Sequence, residues 1–168
     1  MEFTRPATWD DVRRLAGFLA EAGVEYALVG GYAVAAHGFN RFSEDIDILV
    51  NPSAANAKRW IAALSRLPDG SAMELSDEQD VFAADRRYAI RINDEFTVDV
   101  MPSVAGVPFA TLEQHAERLV IDGEPIPVLD LQGLLDTKQQ SERPKDQADA
   151  ALLREALARL SRRSESDS

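Results

Sequence analysis

The chain has 168 residues, a 45% hydrophobic fraction and a formal net charge of −11. That is long enough for one domain with a sizeable core. The acidic balance disfavours non-specific nucleic-acid binding by the whole surface, though a local basic patch is compatible with it. There is no cysteine, so disulfides and thiolate-held metals are excluded, and a reducing cytosol is compatible. The opening MEFTRPATWDD lacks the basic and apolar regions of a signal peptide, and no apolar run is long enough to span a bilayer. The expectation is a cytoplasmic protein without membrane segments.

In chain order, Thr8-Trp9-Asp10-Asp11 has the pattern of a capping box, and Val12, Leu15, Phe18 and Leu19 follow at helical spacing until Gly23. Trp9 is read as packing. Residues 26–29 are an apolar strand ending at Gly30-Gly31, where paired glycines let the backbone approach a ligand closely. Residues 32–36 suit a short helix stopped at Gly38, whose first N–H groups would favour an anion. His37 beside the glycines is read as structural rather than catalytic. A second strand spans 45–50. Side chains alternate along a strand, so Asp45 and Asp47 share one face while Ile46, Ile48 and Val50 share the other. Two adjacent carboxylates repel unless a cation lies between them. Mg²⁺ favours one or two carboxylates plus substrate phosphates. Two such ions about 3.5–4 Å apart can serve both oxygens of a phosphoryl or nucleotidyl transfer.

Asn51-Pro52-Ser53 ends the strand, and a helix to about residue 66 presents Trp60, Ile61 and Leu64. Leu67-Pro68-Asp69-Gly70 is a turn. Residues 71–86 are polar, read as loop and short helix, and Arg86-Arg87 as solvated. Residues 88–101 form a hairpin: Tyr88, Ile90 and Ile92 alternate, 93–95 turn, and Phe96, Val98 and Val100 alternate again. Asp99 therefore faces away from Val98 and Val100, and a carboxylate there would be costly if buried without a partner. Residues 102–108 are expected as loop, 111–117 as a short helix, and 118–121 with 125–129 as two strands around Asp122-Gly123. Asp130 caps a helix to Lys138. Ser141 to Pro144 breaks the pattern, and a last helix spans 145–160 with Leu152, Leu153, Leu157 and Leu160. Asp146 and Asp149 lie three apart and are read as structural partners of nearby cations.

The run GGYAVAAHG followed by RFSEDIDILV resembles the polymerase-β-like nucleotidyltransferase superfamily. Within it, the pattern is similar to the small prokaryotic AbiEii-like group of type IV toxin–antitoxin systems and to antibiotic nucleotidyltransferases. The C-terminal run LLDTKQQSERPKDQAD resembles the same AbiEii-like group. The resemblance implies an α/β (α+β) fold with a mixed, mainly antiparallel sheet, flanking helices and a C-terminal helical part. It implies a metal-held nucleoside triphosphate and a third carboxylate on a neighbouring strand, which Asp99 supplies. On this basis the catalytic and metal set is Asp45, Asp47 and Asp99 with Mg²⁺ or Mn²⁺, and Asp99 doubles as general base. Gly30, Gly31, Arg41, Ser43 and Lys138 are the nucleotide-binding set, Lys138 as a point charge on phosphate. An ion pair with Glu44 or an aspartate is the alternative for Arg41. Many members carry Ser or Thr after the glycine pair, where this chain has Tyr32, so a small hydroxyl for the phosphates is missing.

The expected organisation is one domain over 1–163, with a core at 24–104, a helical part at 130–163 and a disordered tail at 164–168. The expected function is transfer of a nucleoside monophosphate to an acceptor hydroxyl on tRNA or protein, with pyrophosphate released and an antitoxin protein as partner. An antibiotic acceptor, or a catalytically inactive module that binds a nucleotide or partner, is the alternative.

Overall fold

A computed structural model describes residues 4–78, 80–82 and 88–166. Helix α1 (Trp9–Glu21) opens on the expected capping box: Thr8 accepts from the Asp11 N–H and Asp11 accepts from the Thr8 N–H. Strand β1 (Tyr26–Val29) leads into α2 (Gly30–Ala36), and β2 (Ile46–Val50) into α3 (Ala54–Leu64). A 3-10 turn at Ser71–Leu75 precedes the hairpin β3 (Ile90–Asn93) and β4 (Thr97–Met101). Arg86 and Arg87 lie outside the described residues. Then come β5 (Ser103–Val104), β6 (Val107–Pro108), α4 (Phe109–Leu112), β7 (Ala116–Ile121), β8 (Glu124–Leu129), α5 (Leu131–Gln139) and α6 (Pro144–Ser166).

Six strands form one mixed sheet in the order β3-β4-β2-β1-β8-β7, with β5 and β6 a separate ribbon. The pairs β1–β2, β3–β4 and β7–β8 are antiparallel, whereas β2–β4 and β1–β8 are parallel. Along β2 the alternation decides the layers. Ile46 and Ile48 face the buried side chains Val12, Leu15 and Leu19 of α1, with Leu28 and Ile126 beside them. Asp47 faces the other way, toward α5. Helices α1 and α3 pack together, and α5 packs on α6. Trp60, Ile61 and Leu64 are buried as their spacing predicts.

Three local differences from the sequence reading have physical causes. Residues 103–108 make a small ribbon rather than plain loop, because Ala105 and Gly106 both adopt positive φ and close a tight turn. The 111–117 helix is displaced: α4 starts at Phe109, a 3-10 turn follows at Glu113–His115, and β7 already begins at Ala116. Helix α6 runs to Ser166 rather than stopping near 160, so it enters the 164–168 stretch expected as disordered tail. Ser, Arg and Glu are tolerable helix formers, and no proline or glycine stops the run. Among the described residues no helix is long and apolar enough to cross a membrane.

Two buried polar side chains escaped the sequence reading. Asn56 donates to the Glu25 and Asn51 carbonyls and accepts from the Glu25 N–H, joining α3 to the entries of β1 and α3 itself. Asp94, 2% exposed in the β3–β4 turn, accepts from the backbone N–H of Asp69, Ser71 and Glu95. Burial alone would push its carboxyl up, but the three N–H groups together hold it below the usual carboxylate range. Because the native pKa is lowered, this contribution to stability is present at neutral pH and is lost as pH falls through the native pKa. Replacing Asp94 by Ala leaves three N–H groups without their acceptor. The expected loss is about 1–3 kcal/mol in a urea melt at pH 7, shrinking toward pH 3.

Candidate active site

The site is set by strand register. Asp47 on β2 lies opposite Asp99 on β4, Asp99 lies opposite Arg91 on β3, and Val29 on β1 lies opposite Asp47. Residues opposite one another in a sheet share a face, so Arg91, Asp99 and Asp47 form one row. Asp45, two residues before Asp47, joins them on that face. The three carboxylates expected from the sequence are thus brought together. Asp99 is 13% exposed at its side chain and Asp45 37%.

The residue that sequence reading missed is Arg91. Its Nε donates to Asp99 Oδ1 at 2.9 Å and its Nη2 to Asp99 Oδ2 at 3.1 Å, a two-pronged pair. The same Nη2 reaches Asp45 Oδ2 at 3.3 Å. Arg91 looked like an ordinary polar position on an alternating strand. The hairpin turns at 94–96, with Asn93 opposite Thr97, and this sets Arg91 across from Asp99; the turn expected at 93–95 would have set it across from Thr97 instead.

Asp47 sits deeper. Burial first, then the charge and hydrogen bond of Asp99, then the charge of Asp45, push its carboxyl up to about 7, against an opposing pull from Arg91. Gly30 makes room for it. A Cβ built at Gly30 would fall 2.1 Å from Asp47 Oδ2, and the residue has φ +72. Both facts require glycine at that position. Gly31 similarly stands against Ser43, whose Cβ would lie 2.7 Å from an added Cβ. The glycine pair, expected to let the backbone approach a ligand, here lets it approach the chain's own Asp47 and Ser43.

A cleft of about 580 Å³ opens beside Asp47 and Gly30, with Met101, Lys138, Arg143 and Asp146 among its lining residues. Lys138 reaches it because Gly133 lets α5 lie close on β8: an added Cβ would fall 2.8 Å from both Leu129 and His115 side chains. The Lys138 ammonium lies 3.2 Å from Asp146 Oδ1 and 3.0 Å from Asp149 Oδ2. The second contact is an ion pair without hydrogen-bond geometry. The expected pairing of Asp146 and Asp149 with a nearby cation is thus found, with Lys138 as that cation. Burial raises the Asp146 carboxyl, while Ser141 and Lys138 together hold it lower than usual.

Other expected residues are placed as follows. Arg41 Nη2 lies 3.4 Å from Asp149 Oδ2, so it pairs with an aspartate of α6. Ser43 Oγ donates to the Asp45 carbonyl at 2.8 Å and shapes the loop into the carboxylates. His37 ends α2 and bonds the Leu129 carbonyl through Nε2, consistent with a structural role. Tyr32 is buried, its hydroxyl donating to the Ala7 carbonyl at 2.7 Å and its ring edge-on to Trp9. It therefore offers no hydroxyl in place of the missing Ser or Thr.

Among the described residues no three His, Cys, Asp or Glu side chains form a ready cation cage, and Arg91 is bonded to the oxygens that a cation would need. The donor set nevertheless suits a hard cation. It is all carboxylate oxygen, it is crowded enough to raise Asp47, and it opens on a cleft where phosphate oxygens could complete the shell.

A Thermotoga maritima protein described as a nucleotidyltransferase shares the fold, with a TM-score of 0.55 and 16% identity over 100% of this chain and 98% of its own. An antigenic nucleotidyltransferase-like protein from Paracoccidioides brasiliensis aligns over 88% of this chain and 77% of its own, with a TM-score of 0.45 and 18% identity. No curated protein matches the chain. Residues 13–162 match the family "Nucleotidyl transferase AbiEii toxin, Type IV TA system", and the chain belongs to it. It is a nucleotidyltransferase of a toxin–antitoxin family.

The raised Asp47 has a measurable consequence. An acid whose native pKa lies above its unfolded value binds more protons when folded, so the contribution of Asp47 to stability falls as pH rises from about 4 to about 7 and is flat above that. Asp47→Asn removes the charge while keeping the shape. Above pH 8 the variant is expected to be more stable than the wild type by roughly 2–4 kcal/mol, with the difference gone near pH 4. Denaturant melts at the two pH values measure it. A variant less stable at both would show that Asp47 carries no such penalty.

Proposed function

We propose that the chain is a metal-dependent nucleotidyltransferase that moves a nucleoside monophosphate from a nucleoside triphosphate to an acceptor hydroxyl, releasing pyrophosphate. The observation that carries this is the row Asp45, Asp47 and Asp99, whose member Asp47 lines a cleft that Lys138 and Arg143 also line. Carboxylates and cations around one cleft match a ligand that is a metal at one end and a polyphosphate at the other.

Asp45, Asp47 and Asp99 would hold Mg²⁺ or Mn²⁺, which when bound neutralises phosphate oxygens and favours attack at phosphorus. Lys138 binds the triphosphate tail as a point charge. The backbone of Gly30 lines the phosphate path, Gly31 packs against Ser43, and Arg41 and Ser43 fix the loop that delivers Asp45 to the nucleotide. Asp99 accepts the proton of the acceptor hydroxyl. The acceptor oxygen bonds to the α-phosphorus, and the bond from that phosphorus to the bridging oxygen breaks, so pyrophosphate leaves with the electron pair.

The acceptor we favour is tRNA or a protein, because the family to which the chain belongs is described as a toxin. The same description motivates an antitoxin protein as partner. An antibiotic acceptor is the other chemistry the same site could serve, and a resistance assay in an expressing strain separates the two.

Calorimetry with the four nucleoside triphosphates, with and without Mg²⁺, tests the assignment directly. The wild type is expected to bind at least one triphosphate only with Mg²⁺. Asp45→Asn/Asp47→Asn is expected to lose that binding by tenfold or more, and Lys138→Ala to weaken it roughly tenfold, as for one charge-assisted contact. Metal-independent binding that survives the double substitution would instead indicate a module that holds a nucleotide without chemistry.

A further inference from the structure

We propose that Arg91 is the resident counter-cation of the carboxylate site and that a divalent metal ion enters only by displacing it. The inference rests on the metal-dependent function proposed above and adds the device that controls metal entry.

The argument begins with acceptor atoms. Arg91 engages Asp99 Oδ1, Asp99 Oδ2 and Asp45 Oδ2. Those are both oxygens of Asp99 and one of Asp45, and a cation held by Asp45 and Asp99 would draw on the same ones. A guanidinium and a divalent ion on one set of oxygens would sit a few ångströms apart, and like charges at that distance repel strongly. The two occupants are therefore alternatives.

The surroundings make exchange feasible. Arg91 is on β3, the last strand of the sheet, and its side chain is 59% exposed. Releasing the guanidinium breaks no packing in the core, because its neighbours Ile90 and Ile92 face the other side of the strand. Ala89, two residues before Arg91, lines the cleft, so the freed side chain remains within reach of a bound polyphosphate. Without Arg91 the row would hold three acids and no cation, which explains why an exposed arginine is fixed in a two-pronged pair. The nucleotide-free protein is expected to take up metal weakly, and a triphosphate is expected to help by offering Arg91 a new partner.

The test is Mn²⁺ binding in the absence of nucleotide, followed by the electron paramagnetic resonance signal of the free ion. Wild type, Arg91→Gln and Arg91→Lys are compared. Arg91→Gln is expected to bind Mn²⁺ roughly fivefold more tightly than wild type, the scale of a partly exposed ion pair, with Arg91→Lys between them. A second measurement needs no variant: the Arg91 Nε–H resonance of the wild type should move toward the position of a free arginine as Mg²⁺ is added. Equal or weaker Mn²⁺ binding by Arg91→Gln, or an Nε–H resonance indifferent to Mg²⁺ that binds, overturns the inference and leaves metal dependence standing. Failure of wild type and variants alike to bind Mn²⁺, even with triphosphate present, overturns the metal-dependent function itself.

Discussion

Parallel pairing of β2 with β4, in the register that sets Asp47 opposite Asp99, is the constraint on which the site depends. Like charges facing one another across strands are unfavourable, and here both are partly withdrawn from solvent. The other face of the same strands shows why the pairing holds. Ile46, Ile48, Val98 and Val100 are each at most 1% exposed. Burying four such side chains contributes roughly 6–12 kcal/mol. A pKa raised to about 7 on Asp47 costs on the order of 4 kcal/mol at high pH. The apolar face is therefore strong enough to impose a register that the polar face resists. A slip by one residue would exchange the two faces, placing the acids in the core and the isoleucines in the cleft.

How much of this was legible depended on the range of the interactions. Alternation along one strand is local, so Asp45 and Asp47 on one face, and Asp99 opposed to Val98 and Val100, could be read directly. The capping box of α1 is local as well and is found as expected, whereas the glycine pair, read as opening toward a ligand, closes on Asp47 and Ser43. Arg91 was missed because a polar residue on an edge strand has no distinguishing feature until its partner across the hairpin is considered. Arg41 posed the converse difficulty. Its aspartate partner is Asp149, more than a hundred residues away on α6, and no spacing rule connects them. Asp94 read as a plain turn residue, whereas its carboxylate gathers N–H groups from a separate turn at 69–71. The 103–108 ribbon depends on a positive φ at Ala105, a conformation that alanine seldom adopts and that composition does not announce.

The C-terminal helices do more than cover the sheet. Helix α6 supplies Asp146 and Asp149, and α5 supplies Lys138 between them. Asp149 also reaches Arg41 on the loop that leads to Asp45. One buried carboxylate thus links the cation facing the cleft to the segment carrying the first acid of the row. The loop and the helical part are therefore coupled through a charge, and a change at Asp149 would be felt at both ends of the site.

Both walls of the cleft are consequently neutralised by the chain itself: Arg91 on the carboxylates, Asp146 and Asp149 on Lys138. In a protein of net charge −11, an uncompensated row of acids would attract any cation, and an uncompensated lysine any anion. Internal pairing suppresses both. On the proposed function, a lone metal ion would compete with a guanidinium, and a lone phosphate with two carboxylates. A metal–triphosphate pair brings the two charges together, so each internal ion pair can be exchanged for an external one with little change in net charge. Selectivity for the proposed metal–triphosphate substrate over its separate parts would follow from this arrangement without any contact specific to the base.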